Sequence, residues 1–189
     1  MSVLPIVTYD DEVLRKEAEP ITENTDRLQT LIDDMFETMY HSDGVGLAGP
    51  QIGRLVRLFV MDADIMAEEN DEPTYGPMAM INPEIVEKSG EEVSMDEGCL
   101  SIPGINTPID RPDEIVVEYT DRDFNRKHLK VGGWAGRVIQ HETDHLNGVL
   151  FLDYLSYFKK KLFSSKLNKI ATGKEEVDYP VVPKKAQVQ

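Results

Sequence analysis

The segment Gln140-His141-Glu142-Thr143-Asp144-His145-Leu146-Asn147-Gly148 contains H-E-x-x-H, two histidines four residues apart with an acid beside the first. On an α-helix, positions i and i+4 share one face a turn apart, so His141 and His145 can grip a single metal ion. Glu142 then stands where it can handle the protons of a water at that ion. The flanks mark helix ends, with Gly132-Gly133 before the segment and Asn147-Gly148 after it. Between them Trp134, Val138, Ile139, His141, Glu142 and His145 fall largely on one side of the predicted helix. A surface helix seldom puts two imidazoles and a carboxylate on its apolar side, which favours a metal site over a chance match.

Upstream, residues 55–133 have a different texture. Leu55 to Met61, Met78 to Val86, Glu92 to Met95, Glu114 to Tyr119 and Lys127 to Val131 read as short strands punctuated by Pro and Gly. Asp64 to Gly76 is acidic and polar and reads as a mobile loop. Nearer the start, Asp10 to Glu17 suggests a short helix. Thr25 to Tyr40 predicts a longer one, because Leu28, Leu31, Ile32, Met35, Phe36 and Met39 keep the i, i+3, i+4, i+7 spacing. Ser42-Asp43-Gly44 stops it. After the H-E-x-x-H helix, Phe151 to Ala171 predicts a C-terminal helix with Leu152, Leu155, Phe158, Leu162 and Phe163 on its buried side. Strands first and the main helix after them imply an α+β fold: mostly antiparallel sheets packed around a central helix, with a C-terminal helix. Residues 1–174 are expected to form one metallohydrolase domain and 175–189 an extended or loose tail.

Composition narrows the class. A chain of 189 residues, 40% hydrophobic and 29% charged, matches an ordinary globular domain. No apolar run is long enough for a bilayer, so no membrane role is expected. Met1 to Pro20 has acids by residue ten and no apolar core, so it reads as neither signal nor transit peptide. The cytoplasm is the expected compartment, and the single cysteine, Cys99, rules out a disulfide within the chain. The net charge of −15 argues against nucleic acid as a direct substrate. The charge is uneven, however: Lys159, Lys160, Lys161, Lys166, Lys169 and Lys174 lie between Leu155 and Lys174 with no acid among them. They suit a solvated helix face, or a docking surface for something anionic such as ribosomal RNA.

Two further segments carry chemistry. Gly44-Val45-Gly46-Leu47-Ala48-Gly49-Pro50-Gln51 reads either as a tight turn or as backbone that a peptide can approach closely, with the Gln51 amide at its end as an uncharged donor. In Glu97-Gly98-Cys99-Leu100-Ser101, Cys99 could complete the metal site as a thiolate. Two imidazoles and one thiolate leave a fourth position free, the mark of a catalytic site over a structural one. His41 reads as a helix-end residue and His128 as a strand surface residue, so neither fills that position.

These three segments, in this order, resemble the peptide deformylases, metallohydrolases that remove the formyl group from the N-terminal methionine of new bacterial proteins. The likeness spans nearly the whole chain. Glu97 to Ser101 and Gln140 to His145 match the family motifs in full, and Gly44 to Gln51 matches except that Gly49 stands where Ala is usual.

The resemblance implies that Cys99, His141 and His145 hold one divalent metal, iron(II) physiologically, with zinc(II) or nickel(II) able to take its place. It implies Glu142 as proton acceptor and donor, and the Leu100 N–H and Gln51 amide as oxyanion donors. The substrate would be an N-formylmethionyl nascent peptide lying extended along Gly44, Val45 and Gly46. Matching positions put Val45, Met95, Trp134 and Val138 around its methionine, although Trp134 and Val138 serve equally well as core. Arg111 and Asp144 are read as a pair that steadies the metal helix. The Lys-rich C-terminal helix is the candidate contact with the ribosome. Two competing readings are an H-E-x-x-H endopeptidase, which needs a His or Glu third ligand that the residues after His145 do not offer at a usual spacing, and a metal-stabilised protein without turnover, which has no use for Glu142.

Overall fold

The computed structural model describes residues 2–183. In chain order the regular elements are β1 (Ile6–Val7), α1 (Asp26–His41), β2 (Gly46–Ala48), β3 (Leu58–Met61), α2 (Asp64–Glu69), β4 (Met78–Glu97), β5 (Thr107–Thr120), β6 (Arg126–Gly132), α3 (Gly133–Leu146), α4 (Tyr157–Leu162), α5 (Ser164–Ala171) and β7 (Val181–Val182). Strands β2 to β6 form one sheet in sequential order, every neighbouring pair antiparallel. β1 and β7 form a short parallel pair, and a single parallel bridge joins Glu19 to Val56. The α+β architecture with mostly antiparallel strands is the one the sequence implies.

Alternation along β3 explains how the sheet is covered. Leu58-Phe59-Val60-Met61 is apolar at every position and wholly buried. Successive side chains point to opposite faces. Leu58 and Val60 pack with Ile32, Met35 and Met39 of α1. Phe59 and Met61 pack with Ala135, Val138 and Ile139 of α3. The sheet is therefore held between α1 on one face and α3 on the other. Full burial of side chains of this size is worth roughly 1.5–3 kcal/mol each. α1 starts where Thr25 accepts a hydrogen bond from the Leu28 N–H at 3.2 Å, and ends where Asp43 turns to φ 53° and the Gly44 N–H closes on the Met39 carbonyl at 2.9 Å.

Several boundaries differ from the sequence reading. Asp10 to Glu17 contains a single 3₁₀ turn, Glu12–Arg15, capped by Asp11. Met78 to Val86 and Glu92 to Met95 are one strand, because β-bulges absorb the Asn82-Pro83 and Ser89-Gly90 irregularities without ending the ladder. Asp64 to Gly76 is not a loop throughout. It begins with α2, buries Ala67, and is tied back where the Asp64 carboxylate accepts from the N–H groups of Tyr75 (2.9 Å) and Gly76 (3.0 Å).

The C-terminal helix is divided. Phe151–Tyr154 is a 3₁₀ turn, Ser156 caps a new start at α4, and α5 follows. Leu152 and Leu155 are buried as expected, but Phe158 and Leu162 are 79% and 82% exposed, since the break rotates α4 off the core. The described segment from 175 ends in an extended strand. It returns over the molecule, and Val181–Val182 pairs with Ile6–Val7. Residues 184–189 of the expected tail lie outside the described residues.

Candidate active site

α3 carries the two histidines inward. Its first backbone donors have no cap from Gly132, and Glu72 supplies one from a distance, accepting from the Trp134 N–H at 2.7 Å. Gly133 has φ +57°, a backbone conformation that favours glycine, and a Cβ there would push the Glu72 carboxylate from its place. One helical turn separates His141 from His145, and their rings meet edge to face with centroids 4.9 Å apart.

Cys99 arrives from the turn that follows β4. Its Sγ lies 3.2 Å from His145 Nε2. One donor atom from each of Cys99, His141 and His145 falls within 4.8 Å of the others. His141 Nδ1 is engaged by Glu97 Oε2 at 2.9 Å, which turns the far side of its ring toward the sulfur. Two imidazoles and a thiol so placed are the right chemistry and number for a divalent cation with an open coordination position. His145 Nδ1 and Glu142 Oε2 are buried with no hydrogen-bond partner among the described residues. A buried carboxylate oxygen without a partner is costly unless something polar comes to meet it.

Glu142 sits where Gly46 admits it. A Cβ on Gly46 would collide with the Glu142 carboxylate, so the approach of β2 to α3 depends on that glycine. Burial pushes the Glu142 carboxyl up to about 7, and the charges of Glu97 and Asp144 act in the same direction against His141. Gln51 is fixed from behind. Its Oε1 accepts from the Ala48 N–H at 2.7 Å, which aims its Nε2 at Cys99 Sγ and Ser101 Oγ, each at 3.4 Å. The Gly-rich segment is β2, which stands at the edge of the five-stranded sheet, followed by a 3₁₀ turn that delivers Gln51 to the sulfur.

Behind the histidines lies a buried ionic network. Glu97 receives Arg111 through Nε at 2.6 Å and Nη2 at 2.9 Å, Arg137 Nη1 at 3.0 Å, and His141 Nδ1. Arg111 continues to Asp144 at 2.7 Å, where the Tyr154 hydroxyl also donates at 2.9 Å. The expected Arg111–Asp144 pair is therefore one edge of a larger assembly. Burial alone would raise the Glu97 carboxyl, but hydrogen bonds from His141 and Arg111 hold it well below the usual carboxylate range. Burial would likewise lower His141, yet its bonds to Cys99 and Glu97 carry it well above the ordinary imidazole value. His145 goes the other way, held down by burial and by the neighbouring His141 and Arg111.

The group opens into a cavity of about 540 Å³, within the usual range for small-ligand sites. Gly44, Val45, Gly46, Gln51, Leu100 and Glu142 line it, as do Trp134 and Val138. Val138 also belongs to the core cluster between α3 and the sheet. Met95 shares the face of β4 that carries Glu97, which lines the cavity. It stands two residues before Glu97 on β4, about 7 Å farther along the strand, and is half-buried there.

Residues that pattern reading did not single out complete the site. Arg137 lies one turn before His141 on α3, and a buried arginine there was the available signal. Met66 of α2 and residues 175–179 also line the cavity, and no local motif announces them.

Comparison with known proteins agrees with this geometry. Residues 3–161 match the polypeptide deformylase family. The chain is 50% identical over 186 residues to a peptide deformylase of Salinibacter ruber, covering 96% of this chain and 95% of that one. It is 45% identical to a peptide deformylase of Wolbachia pipientis, covering 93% and 100%. Among solved structures, peptide deformylase from Ehrlichia chaffeensis superposes with a TM-score of 0.82 at 42% identity, over 91% of this chain and 98% of that one. The enzyme from Thermotoga maritima gives 0.75 at 44%, over 82% and 99%.

Proposed function

Because the chain belongs to the polypeptide deformylase family, we propose that it hydrolyses the N-terminal formyl group of formylmethionyl nascent peptides, releasing formate, as a metal-dependent enzyme. The observation that carries this reading is the convergence of Cys99, His141 and His145 within 4.8 Å beside a buried Glu142 oxygen that has no hydrogen-bond partner among the described residues.

Cys99, His141 and His145 are the residues that would hold the metal. A divalent cation there would supply Lewis acidity to the formyl oxygen and acidify a water. The donor set accepts iron(II), zinc(II) and nickel(II) alike, and the family resemblance favours iron(II). The rest falls to the protein's own groups. Glu142, near neutrality in its buried setting, takes a proton from the attacking water and returns it to the departing amine. The Leu100 N–H and Gln51 Nε2 donate to the oxygen on which charge develops. Gln51 suits that task because its other end is already tied to Ala48. Glu97 keeps His141 in one orientation. The peptide lies along Gly44, Val45 and Gly46, and Val45, Trp134 and Val138 receive the methionine.

We place the protein in the cytoplasm, where such substrates arise; among the described residues no helix is long and apolar enough to cross a membrane. Ribosome contact is assigned to α4 and α5, which carry Lys159, Lys160, Lys161, Lys166 and Lys169, with Lys174 just beyond, and which leave Tyr157, Phe158 and Leu162 exposed. The direct test of the activity is formate release from a formyl-Met-peptide by anaerobically purified protein. Turnover by wild type and its loss in Glu142→Gln are expected; equal rates in both would refute the assignment.

A further inference from the structure

The turn Cys99-Leu100-Ser101 is held from both ends of the chain. The Tyr9 N–H donates to the Ser101 carbonyl at 2.8 Å, and the Tyr179 hydroxyl donates to the Leu100 carbonyl at 2.8 Å. The two anchoring segments are joined to each other through β1 and β7, with the Ile6 N–H donating to the Pro180 carbonyl at 2.9 Å. The ring of Tyr179 packs with Leu100 against the cluster that contains Leu47, Leu58 and Ile81. The strap from 175 to 179 also lines the cavity, and Lys166 pairs with Glu175 at its start.

The two torsions of Leu100 set how the peptide planes on its two sides are oriented relative to each other. The Cys99–Leu100 plane, which carries the Leu100 N–H, is pinned where the Cys99 carbonyl accepts from Ile102 at 2.9 Å. The Leu100–Ser101 plane is pinned at its oxygen by Tyr179. We propose that Tyr179 is a positioning residue for deformylation: by holding the Leu100 carbonyl, its hydroxyl fixes the direction of the Leu100 N–H toward the reacting oxygen. This rests on the deformylase reading given above. Donors of this kind act only when their placement is set before charge develops, and a hydroxyl from a strap that has no part in the chemistry can set it.

The test uses the full chain, metal-loaded, as wild type and Tyr179→Phe, which keeps the ring and removes the hydroxyl. Formate release should show kcat lowered about five- to tenfold, the rate equivalent of one ordinary hydrogen bond. KM should stay within about twofold, since ground-state binding is not touched. Metal content should not change, Tm should fall by only about 2–4 °C, and amide exchange at 99–102 should quicken while that of α3 does not. An unchanged kcat overturns the proposal. So does a rise in KM alone, which would make the strap a substrate wall, and so does a fall in kcat that tracks lost metal or a Tm lowered by about 10 °C or more. A wild-type protein that releases no formate would remove the deformylase reading, and this proposal with it.

Discussion

Glu97 Oε2 meets His141 Nδ1 at 2.9 Å, and the same carboxylate is gripped by Arg111 and Arg137. One buried acid thus orients a candidate metal ligand and ties it to two strands and a helix. Replacing Glu97 with Gln keeps the shape but weakens the bond to His141. Metal affinity should fall about 10- to 100-fold, the usual cost of losing such a partner. Competition titration against a zinc chelator measures it.

Arg111 and Glu97 are both almost fully buried. In Arg111→Ala the carboxylates of Glu97 and Asp144 lose their principal counter-charge, although Arg137 still reaches Glu97. Stability should drop by about 3–5 kcal/mol, as for other broken buried pairs. Denaturant unfolding of the zinc-loaded protein reads this directly, and Arg15→Ala, at an exposed pair with Asp153, should cost no more than about 1 kcal/mol.

Gly46→Ala puts a methyl group where the Glu142 carboxylate now lies. The carboxylate must move while the three ligand side chains stay in place. The expected outcome is about a 100-fold fall in kcat, the scale of a displacement of about 1 Å at a reacting centre. Full metal content, checked by elemental analysis, should accompany it.

Gln51→Leu removes one proposed oxyanion donor and preserves the bulk of the side chain. It should cost roughly 3–4 kcal/mol of transition-state stabilisation, seen in kcat more than in KM. Steady-state kinetics with a formyl-Met-peptide would show it.

Much of this site was legible because its chemistry sits in short segments. His141, Glu142 and His145 are fixed by helical spacing alone, and α3 begins and ends where its glycines and Asn147 indicate. Periodicity likewise found α1, since Leu28, Ile32, Met35 and Met39 follow one buried stripe.

The failures arose where a tertiary contact overrides local pattern. Phe158 and Leu162 kept helical spacing with Leu155, but Ser156 begins a new helix whose turn faces outward. Tyr179 and Met66 reach the site only because distant strands and turns bring them back. Glu97 was quoted within a motif, but its grip on two arginines depends on the pairing of β4 with β5 and the packing of α3, which no local pattern encodes.

The central claim is that one sulfur and two imidazole nitrogens share a single cation and leave room beside it. X-ray absorption at the zinc edge of zinc-loaded protein tests this most directly. It should find one sulfur at about 2.3 Å and two nitrogens at about 2.0–2.1 Å, with the remaining light scatterer removed by a competing small ligand. A shell without sulfur, or a fourth protein donor that no small ligand displaces, would contradict it.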